Sequence, residues 1–286
     1  MVRSGGADGD EVVRVAARAY ERDRYLAALL APRTLQPDLI ALAAFGGEVA
    51  RIPAFVSEPM MGEVRLRWWR DALAAAATGD STGHPVADAA GAAVRRHRLP
   101  TGLLEGYIEA TARRFYETAP ADDDVLRSFL ADTEGALFAL TWRVLAGAEG
   151  GSEPEPLAMA GQAYGLARLV HEFPAVLAQG RTLIPRSRLN NRGLGVEALC
   201  SGVRPHDTAA LLAEVAADAR RNLAAVAPTL SRAARPLRTA LLPIALVEPY
   251  LRFQQRGNLN RPDRTADVSP LTRVWRIWWA HRTGRI

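Results

Sequence analysis

The residues with the clearest chemical potential lie in two apolar segments, residues 44–73 and 164–185. Acids repeated at i, i+3 or i+4 on one helix face can hold Mg²⁺, an ion that prefers octahedral oxygen ligands and often bridges carboxylates to substrate phosphates. Between residues 43 and 55, however, the only acid is Glu48, and Arg51 follows three positions later. Between residues 165 and 181 the only acid is Glu172. This spacing predicts a Glu48–Arg51 ion pair and no Mg²⁺ cluster.

The second segment instead carries basic and mixed side chains. Guanidinium groups suit bidentate phosphate contacts, so an anion could be held directly by the nearby arginines, or these could simply face solvent; they are Arg168, Arg181, Arg186 and Arg188. His171 beside Glu172 could form an acid–base pair, although sequence neighbours on a helix point about 100° apart. The alternative is a satisfied polar pair at a cavity mouth.

Helical periodicity dominates the elements that must position these residues. Pro174 is expected to kink its helix, and Pro53 to interrupt another beside Arg51. No strand pattern is apparent, so the predicted class is all-α. The predicted helices cover residues 10–30, 35–50, 59–77, 86–98, 102–117, 124–147, 156–179, 208–227, 235–256 and 269–283, with loops at 147–156 and 183–205.

The C-terminal segment, residues 269–286, reads as a basic, tryptophan-rich helix that begins at the Ser269-Pro270 cap. Its apolar stripe comprises Leu271, Val274, Trp275, Trp278 and Trp279, flanked by Arg273, Arg276, Arg282 and Arg285. Tryptophan beside arginine suits a lipid headgroup interface, so an anionic membrane surface is one predicted partner. The alternative is a helix docked on the protein's own core.

The overall composition further limits the kinds of partner and the location that this protein can have. The 286 residues contain 36 basic side chains, all arginine, and a net charge of +5 that suits an anionic partner. Nothing resembles a nucleic-acid module, and the single Cys200 excludes an internal disulfide. The polar N-terminal segment and the lack of an apolar run of about 18 residues predict a cytoplasmic protein, with peripheral contact to the inner face of a membrane as an extension.

Residues 44–73 (AFGGEVARIPAFVSEPMMGEVRLRWWRDAL) and 164–185 (YGLARLVHEFPAVLAQGRTLIP) resemble the two signature segments of the squalene/phytoene synthase family. The resemblance implies one all-α isoprenoid synthase domain over residues 1–286, with two helices facing each other across a central apolar cavity. In that family each helix carries aspartates that bind Mg²⁺ and a prenyl diphosphate. Here the first cluster aligns with Ala50, Arg51 and Ala54, and the second with Glu172 and Val176.

Shorter matches extend the resemblance along the chain. Arg24-Tyr25-Leu26 resembles the opening substrate helix, and Phe129 falls near a family tyrosine. Arg70 and Asp71 are predicted at the cavity rim. The alternative is a set of surface ion pairs at i, i+4 spacing, Glu63–Arg67 and Arg67–Asp71. The candidate cavity and anchor residues are Arg24, Tyr25, Glu48, Arg51, Trp69, Arg70, Asp71, Phe129, Glu134, Arg168, His171, Glu172 and Arg181.

The runs EPMMGEVRLRWWRDAL, TEGAL, LVEPYLR and PLTRVWRIWWAHRTGRI resemble one branch of the family, related to a mitochondrial complex I assembly factor and lacking the aspartates. The resemblance implies a catalytically inactive protein that either binds an isoprenoid or lipid or acts in the assembly of a respiratory complex, with a subunit of that complex as its partner. An active prenyltransferase that condenses prenyl diphosphates is the alternative, and only that reading requires Mg²⁺. A third hypothesis is a lipid-surface adaptor that uses the basic C-terminus.

Overall fold

The computed structural model describes residues 4–56, 58–147, 151–256 and 267–286, and within these ranges the secondary structure is entirely helical. The predicted all-α class is therefore confirmed. The α-helices are α1 Ser4–Tyr20, α2 Arg22–Ala28, α3 Gln36–Phe55, α4 Pro59–Thr78, α5 Pro85–His97, α6 Thr101–Arg113, α7 Asp123–Leu130, α8 Ala136–Ala146, α9 Pro156–Leu177, α10 Arg186–Asn190, α11 Val196–Cys200, α12 Pro205–Arg232, α13 Arg235–Ala240, α14 Val247–Arg256 and α15 Pro270–Thr283.

Two apolar cores form the interior, and α8 contributes to both. Its Leu137 and Leu140 pack with α1 to α6, whereas its Phe138 and Trp142 pack with α7, α9 and α12. In each core long helices lie side by side, with α1 along α3, α4 along α5 and α12 along α9. Because successive residues of α8 face opposite cores, the two halves are held as one body. Among the described residues, no helix is long and apolar enough to cross a membrane.

Two glycines permit unusually close helix contacts near the middle of the molecule. A Cβ on Gly161 of α9 would lie 2.8 Å from the backbone nitrogen of Gly135, and one on Gly47 of α3 would lie 2.5 Å from the Cβ of Tyr20. Real side chains do not approach so closely, so only glycine lets these backbones pack. The contacts bring α1, α3, α9 and the chain around Gly135 to one place.

Several predicted helix boundaries are wrong, for identifiable reasons. The predicted helix 10–30 breaks at Glu21 (φ −132°, ψ 53°), whose buried carboxylate binds arginines elsewhere in the fold. Pro53 does not interrupt α3, which continues to Phe55 and lacks only the one backbone hydrogen bond that the proline nitrogen cannot donate. Pro174 lies inside α9, as the predicted helix over 156–179 had it, and α9 runs to Leu177.

Three further segments differ from prediction. The predicted helix 124–147 contains a π-helical turn, Ala131–Gly135, and the predicted loop 183–205 contains α10 and α11. The predicted helix 235–256 is divided by a 3₁₀ segment, Leu242–Leu246, because Pro243 cannot donate the next helical hydrogen bond. The caps behave as expected, since Asp122 accepts from the amides of Asp124 and Val125 and Ser269 accepts from that of Thr272.

Candidate functional site

A cavity of about 390 Å³ lies between α3 and α9. Gly47, Ala50 and Ala54 of α3 form one wall, and Gly165, Leu169 and Val176 of α9 face them. The structure therefore places the two segments across a shared cavity, as the resemblance implied. The other apolar lining residues are Phe129, Leu130, Phe173 and Leu183. The resemblance implied an apolar cavity, whereas this cavity has a strongly charged floor in addition to its apolar walls.

Four charged side chains, hereafter the floor network, form that base: buried Glu21 and Arg24, and partly buried Glu134 and Arg168. Arg24 donates through Nη2 to Glu134 Oε2 at 2.7 Å, and its Nε lies 3.4 Å from Glu21 Oε2. Arg168 Nη1 donates to Glu21 Oε1 at 2.6 Å and to Glu134 Oε1 at 3.0 Å. Two arginines thus face two glutamates, and each charge is compensated within hydrogen-bond reach.

The environment moves the two floor carboxyl groups in opposite directions. Burial raises the pKa of Glu21, and Arg168 only partly opposes this. Burial would also raise the pKa of Glu134, but Arg168 and Arg24 outweigh it, so that pKa is lowered. Arg168 additionally donates through Nε to Glu172 Oε1 at 2.9 Å. The carboxylates at the cavity therefore already accept hydrogen bonds from arginines.

These residues do not fit an Mg²⁺ site of the kind the family uses. The wall positions aligned with its aspartates include Ala50, Ala54 and Val176, whose side chains carry no oxygen. Glu172 is bound to Arg168, and Glu48 is paired with Arg51 at 3.3 Å, which confirms that predicted ion pair. In the described ranges, no group of three or more Asp, Glu, His or Cys side chains is arranged to hold a metal. A diphosphate clamp through several ions lacks its ligands here.

The candidate residues divide into those at the cavity and those elsewhere. The cavity is lined by Arg51, Phe129, Glu134, Arg168 and Glu172, with Arg24 beneath it in the floor network. Glu48 and Trp69 line a neighbouring surface depression together with Arg51, and Trp69 is buried against the Phe45 ring. Tyr25 lies partly buried against the α1–α6 core, away from the cavity.

Arg70 and Asp71 are not at the cavity rim, contrary to prediction. Both are exposed on α4, and Arg70 lies 3.7 Å from Glu109 of α6. The rim position fails because Trp69, one residue earlier, turns into the core. The alternative ion pairs Glu63–Arg67 and Arg67–Asp71 do not form among the described residues either. The Glu63 carboxylate instead accepts a hydrogen bond from the Tyr116 hydroxyl at 2.7 Å.

His171 and Glu172 do not act as a pair, because the helix points them to different environments. Glu172 lines the cavity, whereas His171 lies 3.3 Å from Asp267 and against the Tyr250 ring. His171 thus lies beside a second, buried network, in which the Asp23 carboxylate accepts hydrogen bonds from Tyr164, Tyr250 and Arg273. It ties α2, α9, α14 and α15 together.

Arg273 was predicted as a cationic flank of a membrane helix, and that assignment is wrong. Its guanidinium is buried and binds Asp23, Asp267 and the Tyr250 hydroxyl. Together with Ile277 and Ala280 it forms the inner face of α15, which packs on the 3₁₀ segment. Docking on the core is therefore correct for one face of α15.

The opposite face of α15 is open and is named the tryptophan surface. Its exposed apolar side chains are Leu271 (83% exposed), Val274 (51%), Trp275 (57%), Trp278 (42%) and Trp279 (43%). The Trp275 ring lies 5.4 Å from that of Trp278 and stacks 5.7 Å from that of Trp279. Arg282 and Arg285 are exposed and Arg276 is partly so.

Sequence reasoning missed three charged residues of these sites. Glu21 and Asp23 precede Arg24 in the run Glu-Arg-Asp-Arg, and that cluster of alternating charges was a signal that the sequence offered. Arg114, just after α6, lines the cavity, and no local pattern marks it. Its guanidinium makes no hydrogen bond or ion pair with any described residue, whereas Arg188, predicted beside the segment, is bound by Asp123 and Asp218. Arg186 is exposed.

Burial dominates the electrostatics at Arg114. It lowers the pKa of the guanidinium, Glu172 opposes the shift, and Arg181 and Arg168 lower the pKa further. Arg181 has its own buried Nη1 without a hydrogen-bond partner among the described residues. Arg114 therefore lines the cavity without an ion-pair partner among the described residues, although the Glu172 charge acts on it.

A family model described as squalene/phytoene synthase matches residues 17–271. The chain is 25% identical over 243 residues to "NADH dehydrogenase (ubiquinone) complex I, assembly factor 6" of Rattus norvegicus, covering 85% of this chain and 73% of that one. It is 32% identical over 199 residues to "Bifunctional protein CrtB/UppS" of Streptomyces coelicolor, covering 68% of this chain and 34% of that one. The crystal structure of squalene synthase HpnC from Alicyclobacillus acidocaldarius superposes with a TM-score of 0.72 at 20% identity, over 89% of this chain and 96% of that one. With its helices, its facing segments and its sequence all in agreement, the chain belongs to the squalene/phytoene synthase family.

Proposed function

We propose that this chain is a non-catalytic member of its family that acts in the assembly of respiratory complex I. The observation that carries the proposal is the replacement of cavity carboxylates by Ala50, Ala54 and Val176, with Glu172 bound to Arg168. Similarity to complex I assembly factor 6 of rat supports the same role. The fold supplies a cavity and a rigid helical surface, and neither requires ionisation of a diphosphate.

The competing function is prenyl transfer, which the similarity to the Streptomyces bifunctional protein favours. Incubation of the purified chain with Mg²⁺ and radiolabelled farnesyl or geranylgeranyl diphosphate tests it, with an active family member as the positive control. We expect no squalene- or phytoene-like product. Turnover at about 1 s⁻¹, an ordinary enzymatic rate, would replace the assembly role with catalysis.

The assembly role is tested in host cells from which the gene is deleted. We expect reduced amounts of intact complex I on native gels and reduced NADH:quinone activity, both restored by the wild-type chain. Affinity-tagged chain should also co-purify with complex I subunits or assembly intermediates. Normal complex I in the deletion strain contradicts the proposal, whatever the cavity binds.

Two finer features belong to this proposal. The apolar walls and the volume of about 390 Å³ suit an isoprenoid or lipid chain, since small-molecule pockets commonly measure about 300–1,000 Å³. The tryptophan surface suits peripheral contact with an anionic membrane.

A further inference from the structure

We infer that an arginine cluster at the C-terminal end of α15 binds the phosphate groups of anionic phospholipid headgroups. The arginine cluster comprises Arg232, Arg235, Arg238, Arg282 and Arg285. This inference rests on the membrane contact put forward with the proposed function, and it adds the residues and the ligand chemistry of that contact. It does not depend on the role in complex I assembly.

The C-terminal ends of α12 and α15 meet at Gly284, beside α13. Gly284 is buried and closes α15 with a left-handed backbone (φ 66°). A Cβ at this position would lie 3.2 Å from the carbonyl oxygen of Leu230, in the last turn of α12, and 3.5 Å from Cδ of Arg238 on α13. The glycine therefore lets two helix ends and the Arg238 side chain pack at one point.

This meeting point gathers arginines from three helices. Arg232 is the last residue of α12, Arg282 lies in the last turn of α15, and Arg285 follows the end of that helix. Arg235 precedes Arg238 by three residues on α13, so the two lie on one face of α13. All are exposed except Arg238, which is partly buried. Arginines that are distant in the sequence thus form one basic surface.

No carboxylate among the described residues compensates the arginine cluster. Segments 219–247 and 268–286, which contain it, include no Asp or Glu. Its side chains form no ion pair or hydrogen bond with a described residue. The neighbouring arginines of α12 are paired, in contrast, Arg220 with Glu248 and Arg221 with Asp218.

The two helix ends account for only a small part of this positive charge. A helix C-terminus carries about half a negative charge, so α12 and α15 together offer about one negative charge to the five guanidinium groups. Most of the charge of the arginine cluster is therefore available to an anion from outside the chain.

Two buried nitrogen atoms beside the arginine cluster also lack a partner. Nε of Arg238 and Nδ1 of His281 are buried without a hydrogen bond among the described residues. Burial lowers the pKa of His281, and the charges of Arg235, Arg238 and Arg282 lower it further, so at neutral pH the imidazole is mainly neutral and can donate through Nδ1. A buried donor without an acceptor is costly, and guanidinium groups form charge-assisted hydrogen bonds with phosphate oxygens.

The adjoining tryptophan surface favours a lipid as the source of the phosphate. Arg282 follows Trp278 by four residues on α15, so the arginine cluster continues the helix face that carries the tryptophans. Tryptophan beside arginine is typical of a helix at a headgroup interface. A free phosphate needs no apolar neighbour. Nucleic-acid bases stack on aromatic faces, whereas the exposed Leu271 and Val274 suit acyl chains.

The first test is co-sedimentation of the intact chain with phosphatidylcholine vesicles that contain phosphatidylglycerol. We expect binding to these vesicles. Glycerol 3-phosphate in solution carries the same phosphate without acyl chains, so it should displace the chain no more than sodium chloride of equal ionic strength does. An RNA oligonucleotide should bind more weakly than the vesicles.

The second test locates the contact by nuclear magnetic resonance of the intact chain with isotope-labelled histidine. Soluble dihexanoyl phosphatidylglycerol should shift the imidazole resonance of His281, which is assigned through His281→Gln. The resonances of the other four histidines should not move.

Paired variants assign the binding to the arginine cluster. Arg235→Gln with Arg238→Gln, and separately Arg282→Gln with Arg285→Gln, should each weaken binding to the phosphatidylglycerol vesicles by at least about tenfold, equivalent to about 1.4 kcal/mol. Thermal unfolding shows whether each variant is folded. The second pair is exposed, so it tests the site even where loss of Arg238 disturbs the packing at Gly284.

The matched control is Arg14→Gln with Arg18→Gln. It removes the same charge from two exposed arginines of α1 that have no ion-pair partner among the described residues. This control should weaken vesicle binding by less than about threefold, because charges beyond a Debye length from the membrane surface are screened.

Five outcomes overturn the site. They are no binding of the wild type to the vesicles, a control pair that loses as much binding as the cluster pairs, displacement by glycerol 3-phosphate beyond the salt effect, tighter binding of RNA than of the vesicles, and an unmoved His281 resonance. None of them alters the amount of complex I in the deletion strain, so failure of this site is distinguishable from failure of the assembly role.

Discussion

At the scale of single residues, the charged side chains at the cavity differ in whether they contact an oppositely charged partner. The Arg168 guanidinium contacts Glu21, Glu134 and Glu172, and Arg24 shares the first two. Such a network is held tightly because removing one member leaves another buried and unpaired. Arg114 is the exception, and its isolation has a measurable consequence for the free protein.

Arg114→Gln should stabilise the ligand-free chain. The substitution removes an unpaired, partly buried charge whose pKa burial already lowers, so the folded state no longer bears its desolvation cost. We expect a gain on the order of 1 kcal/mol, or about 2 °C in Tm for a chain of this size. Thermal unfolding followed by circular dichroism measures it, with Arg33→Gln, at an exposed position, as the control. A lower Tm would mean that Arg114 holds the fold together.

Glu134→Gln should have the opposite effect. It leaves Arg24 and Arg168 with one carboxylate fewer in a buried site, and breaking a buried ion pair on one side commonly costs about 3–5 kcal/mol. Chemical denaturation gives the free energy of unfolding. The control is Asp132→Asn, two residues away, whose partly exposed carboxylate pairs with Arg113 at 2.8 Å and whose loss should cost less than about 1 kcal/mol. Equal losses in both variants would contradict the structural importance of the floor network.

Stability at acidic pH should depend on Asp267. Burial would raise the pKa of this carboxyl group, but the hydrogen bond from His171 and the charge of Arg273 outweigh it and hold the pKa below its ordinary 3.8. A lowered folded-state pKa contributes stability that is present above pH 3.8 and is lost as the pH falls below it. Tm measured from pH 6 to pH 2.5 should therefore fall less steeply below pH 3.8 in Asp267→Asn than in the wild type. Parallel curves would exclude this contribution.

The residue scale also shows what sequence spacing can predict. The Glu48–Arg51 pair follows from an i, i+3 relation on one helix, and the structure confirms it. The Arg168–Glu21 contact joins residues 147 positions apart, so no local pattern contains it. Arg114 lines the cavity only because the fold brings it there, and no local sequence pattern marks it.

At the scale of elements, the π-helical turn Ala131–Gly135 explains how Glu134 reaches the floor network. A π turn adds one residue to a helical turn and redirects side chains, and such turns are frequent at functional sites. Gly161 of α9 lies directly against Gly135, so the turn can approach α9 closely enough for Glu134 to contact Arg168. Helical periodicity predicted one continuous helix here. The π turn arises from packing against α9, and the periodicity of the sequence does not contain that contact.

Gly161→Ala should therefore destabilise the protein. Its new Cβ would lie 2.8 Å from backbone atoms of Gly135, which cannot move as a side-chain tip can. Overpacking of this kind typically costs about 1–3 kcal/mol. Gly106→Ala is the matched control, because this glycine is inside α6 with open space around it, and alanine there should stabilise by about 0.5–1 kcal/mol. Urea denaturation of both variants decides, and a Gly161→Ala variant as stable as the wild type would refute the close contact.

At the scale of the whole molecule, α15 connects the folded core to the outside. Its buried face joins the Asp23 network through Arg273, while its other face carries the tryptophan surface. The sequence predicted this apolar stripe correctly but could not assign Arg273, since helical spacing alone does not say which side meets a partner. The fold and the facing of α3 and α9 were accessible from sequence because the family segments carry them.

The tryptophan surface predicts reversible binding to anionic membranes. Arginines near an acidic surface contribute roughly 1 kcal/mol each, and interfacial tryptophans add apolar anchoring. Residues 270–286 contain no acid to oppose this attraction. The intact chain should therefore co-sediment with phosphatidylglycerol vesicles, less so as salt screens the charges, and should not co-sediment with phosphatidylcholine vesicles.

Substitution of Trp275, Trp278 and Trp279 by alanine tests this more cleanly than removal of α15, because Arg273, Ile277 and Ala280 continue to hold the helix on the core. The triple variant should lose most of its vesicle binding while keeping the wild-type Tm within a few degrees. Alanine in place of exposed Trp68 on α4, which is 41% exposed, is the control for loss of a surface tryptophan and should leave binding unchanged. Equal sedimentation of the wild type and the triple variant, or none by the wild type, would reduce α15 to a structural helix.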